Sequence, residues 1–261
     1  MGTATTGPST KVRLDVEIWS DVVCPWCYIG KRRFERALAT VADELDVRVV
    51  YRPYQLDPTA SPGKSAPVVE AYARKFGGEE RAHQIIDHVT NVAAGEGLEF
   101  RMDRALRANT LLAHRLLWLA EQSGHQQRLK ERLLQAYFVD GLDVGDPDVL
   151  ADCAADVGME HDGVRRFLDS TDGVAEVRAL FEQARENDIT AVPTYVVTDP
   201  RGRAAWMIPG AQDSDTFVAV MRRIADRIAA ADDAERADGD DRRDHDDQAA
   251  DADRDGPNRD G

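Results

Sequence analysis

The sequence predicts an α/β fold interrupted by an all-helical domain, and three observations carry that prediction. Between residues 12 and 52 an alternating apolar segment, a helical repeat and a second β-rich segment follow one another. From residue 67 to residue 187 the periodicity is helical throughout, with no strand signal. Two short β-rich segments and an amphipathic helix then close the pattern between residues 194 and 230.

Taken in order, residues 1–11 are small and polar and are expected to be a disordered lead-in. Val12, Leu14, Val16 and Ile18 alternate with polar residues, so they share one face of a strand over residues 12–19. Apolar positions at Ile29, Phe34, Leu38, Val41 and Leu45 predict a helix that runs to about Leu45. Val47-Arg48-Val49-Val50-Tyr51-Arg52 reads as a second strand, stopped by Pro53. Strand, helix and strand at this spacing form a βαβ unit, with parallel strands and a right-handed crossover.

After the loop from Leu56 to Gly63, helices are predicted near 67–77, 79–94, 108–123, 126–140, 147–157, 161–169 and 174–187. Gly124 ends one of them, and Gly145-Asp146-Pro147 closes one connection and opens the next helix. Thr194-Tyr195-Val196-Val197-Thr198 and Ala204-Ala205-Trp206-Met207-Ile208 flank Asp199-Pro200-Arg201-Gly202-Arg203, a turn that makes them a hairpin. The last helix, about 213–230, turns Phe217, Val220, Met221, Ile224 and Ile228 inward. Residues 12–63 and 174–230 thus form one domain, 64–173 the insertion, and 231–261 an acidic tail expected to be disordered.

The 261 residues suffice for a sizeable core, and their net charge of -15 argues against nucleic acid and anionic membranes as partners. Residues 232–261 hold 13 acids and 5 arginines, a net -8, which leaves -7 for the rest. Lysine is confined to Lys11, Lys31, Lys64, Lys75 and Lys130. An acidic, lysine-poor surface fits a salt-rich cytoplasm, where self-repulsion is screened. The first ten residues carry no apolar run and no segment reaches membrane-spanning length, so a cytoplasmic location is expected.

Chemistry concentrates at Val23-Cys24-Pro25-Trp26-Cys27-Tyr28-Ile29-Gly30, where two cysteines two residues apart stand at a strand-to-helix junction. With Cys24 at the cap and Pro25 at the first helical position, unpaired N–H groups and the helix dipole face the first sulfur. Such placement favours the thiolate and predicts a lowered Cys24 pKa, with Cys27 as the shielded resolving thiol. Metal is disfavoured, because the one other cysteine is Cys153 and there is no second pair or close histidine pair to complete four ligands. Cys153 shares an apolar face with Val149, Leu150 and Val157 and reads as a core residue.

Assembled, β-α-β, a helical block and α-β-β-α is the order of a thioredoxin-like fold with an inserted all-helical domain. Over residues 12 to about 230 the chain resembles DsbA-family thiol–disulfide oxidoreductases, in particular the FrnE-like branch. The resemblance rests on Ser20-Asp21-Val22-Val23-Cys24-Pro25-Trp26-Cys27-Tyr28-Ile29-Gly30, on Asn109-Thr110 with Ala113-His114-Arg115-Leu116, and on Val192-Pro193 and Gly210-Ala211-Gln212. It implies that Val192–Pro193 is a cis peptide facing the cysteines and that Pro25, Trp26, Val192 and Pro193 meet substrate. Asn109 and His114 become candidates for the cleft, with a capping Asn and a hydrogen-bonded core His as the alternatives. Two positions depart from relatives. The strongly oxidising secreted ones carry a histidine between their cysteines, where Pro25 and Trp26 stand here, and some carry a buried acid at the position of Ile18. The base that serves Cys27 is therefore unassigned.

The activity implied is disulfide exchange with disulfide- or thiol-containing protein or small-molecule substrates, with no bound cofactor beyond the redox-active Cys24–Cys27 pair and with glutathione as a candidate co-substrate. One rival is a glutathione-dependent isomerase or transferase of the hydroxychromene-carboxylate isomerase or kappa-class type, which typically places serine where Cys24 stands. The other is a redox-inactive peptide-binding module. Direction of exchange and oligomeric state stay open.

Overall fold

Strand β1 (Val12–Ser20) is the member against which the other strands are laid. The computed structural model describes residues 11–202 and 204–252. Strand β2 (Leu45–Pro53) pairs parallel with β1, in register from Val12 opposite Leu45 to Ser20 opposite Pro53. On the other side β5 (Thr194–Thr198) runs antiparallel to β1, and β6 (Ala205–Pro209) completes the order β2-β1-β5-β6. The hairpin closes where Gly202 N–H donates to the Asp199 carbonyl at 2.7 Å, with Gly202 at φ +70°, a conformation that favours glycine.

One face of the sheet is dressed by α1 (Pro25–Val41) and α9 (Ser214–Ala252). Leu14, Val16 and Ile18 bury against Phe34, Ala37 and Val41 of α1 and Phe217, Met221 and Ile224 of α9. The rings of Phe34, Tyr195 and Phe217 lock this layer, Tyr195 and Phe217 in edge-to-face contact at 4.7 Å between centroids. Trp19 has the opposite parity along β1 and packs with Ala184 and Ile189, the first of these on α8 (Val174–Glu186).

Between β2 and β5 lies the insertion, so the architecture is the expected α/β thioredoxin-like fold, with an insert that is helical but not, as predicted, all-helical. A two-residue ladder joins β3 (Ala66–Pro67) to β4 (Leu106–Arg107). The helices are α2 (Val68–Phe76), α3 (Glu79–Gly95), α4 (Leu111–Gln122), α5 (Gln126–Gln135), α6 (Pro147–Asp156) and α7 (His161–Asp169). As the Gly-Asp-Pro run predicts, Asp146 caps α6, accepting from the N–H groups of Asp148 and Val149. The buried Arg115 guanidinium gathers the carbonyls of Phe167, Leu168, Ser170 and Asp172 at the end of α7. Tyr28 and Ile29 of α1 belong to the apolar core of the insertion, whereas Phe34 belongs to that of the sheet. Helix α1 is thus the seam between two cores, and the cysteine pair opens it.

Several boundaries move. Helix α1 ends at Val41, and Leu45 opens β2 instead, because pairing with Val12 outweighs a helical spacing that fits either state. The helix predicted over 126–140 is α-helical to Gln135 and then turns as a π-helix over Ala136–Asp140, ending at Gly141 with φ +71°. The tail expected to be disordered from 231 continues α9 as far as Ala252. It is rich in alanine, the best helix former, and pairs charges such as Arg236 with Asp233 at helical spacing. The expectation of disorder over residues 1–10 falls outside the described residues.

Candidate active site

The active-site turn is built by backbone geometry first. Cys24 is the residue before α1, extended at φ -89° and ψ 115°, with Pro25 in the first turn and no side chain capping the helix. Its carbonyl accepts from the N–H of Cys27 at 3.1 Å, which folds the two sulfurs toward one another. Both cysteines are free thiols, 3% exposed, with their sulfurs near disulfide-bonding distance.

Val192–Pro193 is a cis peptide, and the Cys24 thiol reaches the Val192 carbonyl at 3.7 Å. The neighbouring pieces explain how this loop is held. Gly210 N–H donates to the Pro193 carbonyl at 2.8 Å. A Cβ on Gly30 would lie 3.2 Å from both Pro193 Cγ and Ala211 Cβ and 2.7 Å from Tyr195 Oη, so α1 approaches the proline loop only because residue 30 is glycine. Three separate sequence signals, at Gly30, Val192-Pro193 and Gly210-Ala211, are therefore one contact.

Asp21 supports the turn from below. Its carboxylate accepts from the N–H groups of Val22 and Leu56, both at 2.8 Å, while its own carbonyl accepts from Cys24 N–H. His114 completes that arrangement: Nε2 lies 3.2 Å from Asp21 Oδ1 and 3.0 Å from the Tyr54 carbonyl, two acceptors that assign the proton to Nε2. His114 therefore stands behind the active-site turn as a buried hydrogen-bonded residue. Asn109 donates to the Ala60 carbonyl at 2.7 Å and accepts from Leu111 N–H at 3.0 Å, and so ties a loop to the start of α4. Pro25 is buried, and Trp26 is half-buried with its ring 5.9 Å from that of His88 on α3.

The two thiols titrate as a pair. Cys24 is pushed well above an ordinary thiol, first by its hydrogen bond to Cys27 and then by burial. Burial alone would raise Cys27 as well, but the hydrogen bond from Cys24, the Lys130 charge and the Ser20 hydroxyl outweigh it, and Cys27 is lowered. In the singly ionised pair the two sulfurs share one proton along their hydrogen bond. The helix start and its neighbours thus stabilise one charge shared by the pair, where the sequence places it on Cys24 alone. Sequence reasoning gave Lys130 no role, and Ser20 none beyond its place in the active-site segment. Lys130 carried a signal, because it falls on the buried stripe of α5 with Gln126, Leu133 and Leu134.

Cys153 is buried in the insertion and its thiol is pushed up to about 11 by desolvation, which makes it inert near neutrality. Among the described residues no group of three or more His, Cys, Asp or Glu side chains is placed to hold a metal ion. No described helix is long and apolar enough to cross a membrane.

Comparison with known proteins agrees with this geometry. Residues 15–222 match the DSBA-like thioredoxin domain family. The chain belongs to that family. A probable DsbA oxidoreductase from Streptomyces coelicolor is similar in structure, with TM-score 0.74 and 34% identity, covering 80% of this chain and 89% of that one. YwbO, an uncharacterised protein of Bacillus subtilis (strain 168), is 29% identical over 215 residues, 77% of this chain and 92% of its own length. DsbM, a cytosolic disulfide reductase from Pseudomonas aeruginosa, shares the fold at TM-score 0.56 and 17% identity, covering 80% of this chain and 97% of its own. This DSBA-like protein is accordingly a DsbA-like oxidoreductase with a Cys24–Cys27 pair.

Proposed function

We propose that this DSBA-like protein exchanges disulfides with protein or small-thiol substrates through Cys24 and Cys27, as a member of the FrnE-like branch acting in a reducing compartment, the cytoplasm. The observation that carries the reading is the Cys24 thiol 3.7 Å from the Val192 carbonyl of a cis Val192–Pro193 bond, at the start of α1. Cys24 faces this loop, where the backbone of Val192 offers a substrate strand a hydrogen-bonding edge, with Pro193 next in the chain; Trp26 follows Pro25 at the start of α1 as a further contact for substrate. Cys27 faces inward, toward Ser20 and Lys130.

In the reducing direction the Cys24 proton passes to the Cys27 thiolate along the hydrogen bond they share. The Cys24 thiolate then attacks one substrate sulfur, and the electron pair of the substrate S–S bond leaves on the other. Cys27 next loses its proton and attacks Cys24, forming the Cys24–Cys27 disulfide and freeing the second substrate sulfur. The oxidising direction is the reverse. A free, buried Cys153 with no cysteine partner supports the reducing compartment, since no structural disulfide is being kept.

Turnover of a dithiol-coupled disulfide substrate tests the reading. The wild-type chain is expected to be active, and Cys24→Ser to fall to the uncatalysed rate. Catalysed turnover by Cys24→Ser contradicts it, and a wild-type chain at the uncatalysed rate favours a redox-inactive peptide-binding module.

A further inference from the structure

Lys130 is fully buried, and its ammonium has no hydrogen-bond acceptor and no ion pair among the described residues. An ammonium out of water without a partner is costly, so its position calls for an anion that is present only at some stage of the cycle. Its surroundings leave few candidates. The Gln126 side chain clasps β2 at Tyr51, accepting from Tyr51 N–H at 2.9 Å and donating to the Tyr51 carbonyl at 3.0 Å. One turn along the same helix, Lys130 Nζ lies 5.4 Å from the centre of the Tyr51 ring. Tyr51 pairs across the sheet with Ile18, on the strand that leads into the active-site turn.

The charged and titratable groups that act on Lys130 are Cys27 and Lys31 of α1, Asp21 and Cys24 before it, and Tyr51 of β2. Asp21 is already engaged by Val22, Leu56 and His114. Lys31 is engaged by Glu35 and Glu131. Ile18 and the rest of the β1 face are apolar. What remains for the ammonium is the cysteine pair: burial lowers Lys130, and the Cys27 charge is the strongest influence opposing that, ahead of Asp21 and Cys24.

We propose that Lys130 is the positioning residue of the resolving step, the fixed counter-charge that stabilises the Cys27 thiolate as it attacks the mixed disulfide on Cys24. The inference rests on the disulfide-exchange reading above. In this step the Cys27 proton goes to solvent and Lys130 keeps its own. The S–S bond between Cys24 and Cys27 forms, the bond from Cys24 to substrate breaks, and its electron pair leaves on the substrate sulfur, which takes up a proton. Oxidation removes the thiolate, so the same residue favours the dithiol over the disulfide and raises the reduction potential.

The test reads Cys27 directly, in the full-length chain carrying Cys24→Ala, by thiolate absorbance against pH. Lys130→Met is expected to move the Cys27 titration up by about one unit or more, a tenfold loss of thiolate at a fixed pH below it. Lys130→Arg is expected to retain most of the effect, and Lys130→Gln supplies a second neutral variant should the methionine variant not fold. In the two-cysteine chain the same tenfold change appears as a potential lower by about 30 mV. An unchanged titration and an unchanged potential in a folded neutral variant would overturn the proposal and leave Lys130 a packing residue. Because the titration needs no substrate, a chain that turned over no disulfide would refute the proposed function and not this result.

Discussion

The two halves of α1 lie against different materials. From Phe34 to Val41 the helix presses apolar side chains onto a sheet core made of Leu14, Val16, Ile18 and Tyr195. From Cys24 to Arg32 it meets a seam where buried or half-buried polar groups converge, and three of them, His114, Lys130 and Glu131, come from the insertion. Glu131 alone accepts from Tyr28, Lys31 and Arg32, bolting α5 to the helix that carries the cysteines. The sheet half supplies apolar burial, whereas the insertion brings charged and polar groups to the cysteine end, Lys130 among them lowering Cys27.

Mutations can pull that division apart. Phe34→Ala, in the sheet half, should lower unfolding stability by about 3–5 kcal/mol in denaturant titrations while leaving the thiol titrations of the folded protein nearly unmoved. A matching shift at the cysteines would show that the halves are not separable. His114→Ala removes the donor shared by Asp21 and Tyr54 and should cost about 1–3 kcal/mol. Unlike the Phe34 variant it should also change the pH dependence of alkylation, because Asp21 holds the turn through Cys24 N–H.

The pair itself gives a pH signature. With Cys27 lowered from 9.0 and Cys24 raised well above it, the thiolate absorbance of the reduced protein should rise with pH in two steps, one below 9 and one above it. The sign follows from the shared charge: the first proton lost leaves a thiolate that the remaining thiol stabilises, and the second is held by that same charge. A single step near 9 would mean the sulfurs do not interact. The smallest effect belongs farthest from the seam. Removing residues 232–261 breaks the exposed pairs of Arg201 with Asp232 and Glu235 and should cost under about 1 kcal/mol, with redox activity unchanged at high salt.

Where one residue's chemistry sufficed, the sequence was readable. Alternation revealed β1, Gly145-Asp146-Pro147 revealed the start of α6, and the Cys24–Cys27 spacing at a helix start revealed the redox pair. Contacts that join distant segments were legible only through resemblance, as with Val192-Pro193 beside Cys24. Those made by one side chain across domains were not legible at all. Nothing local says that Gln126 substitutes for a neighbouring strand along β2, or that Lys130, one turn later, lies under the Tyr51 ring. The end of α1 failed for a different reason: Leu45 satisfies helical and strand spacing alike, and pairing with Val12 decides between them. The tail failed because the absence of an apolar stripe was taken to exclude a helix, although alanine content and charge spacing were enough to extend α9.

The central claim, that Cys24 attacks and Cys27 resolves, is tested most directly by intact mass of the two single mutants after incubation with a disulfide substrate. Cys27→Ser should accumulate a covalent adduct, since its Cys24 thiol faces the Val192 edge and nothing internal displaces what it captures. Cys24→Ser should remain unmodified, its Cys27 thiolate turned inward toward Ser20 and Lys130. An adduct on Cys24→Ser with none on Cys27→Ser would reverse the two roles, and the absence of adduct from both would contradict disulfide exchange at this pair.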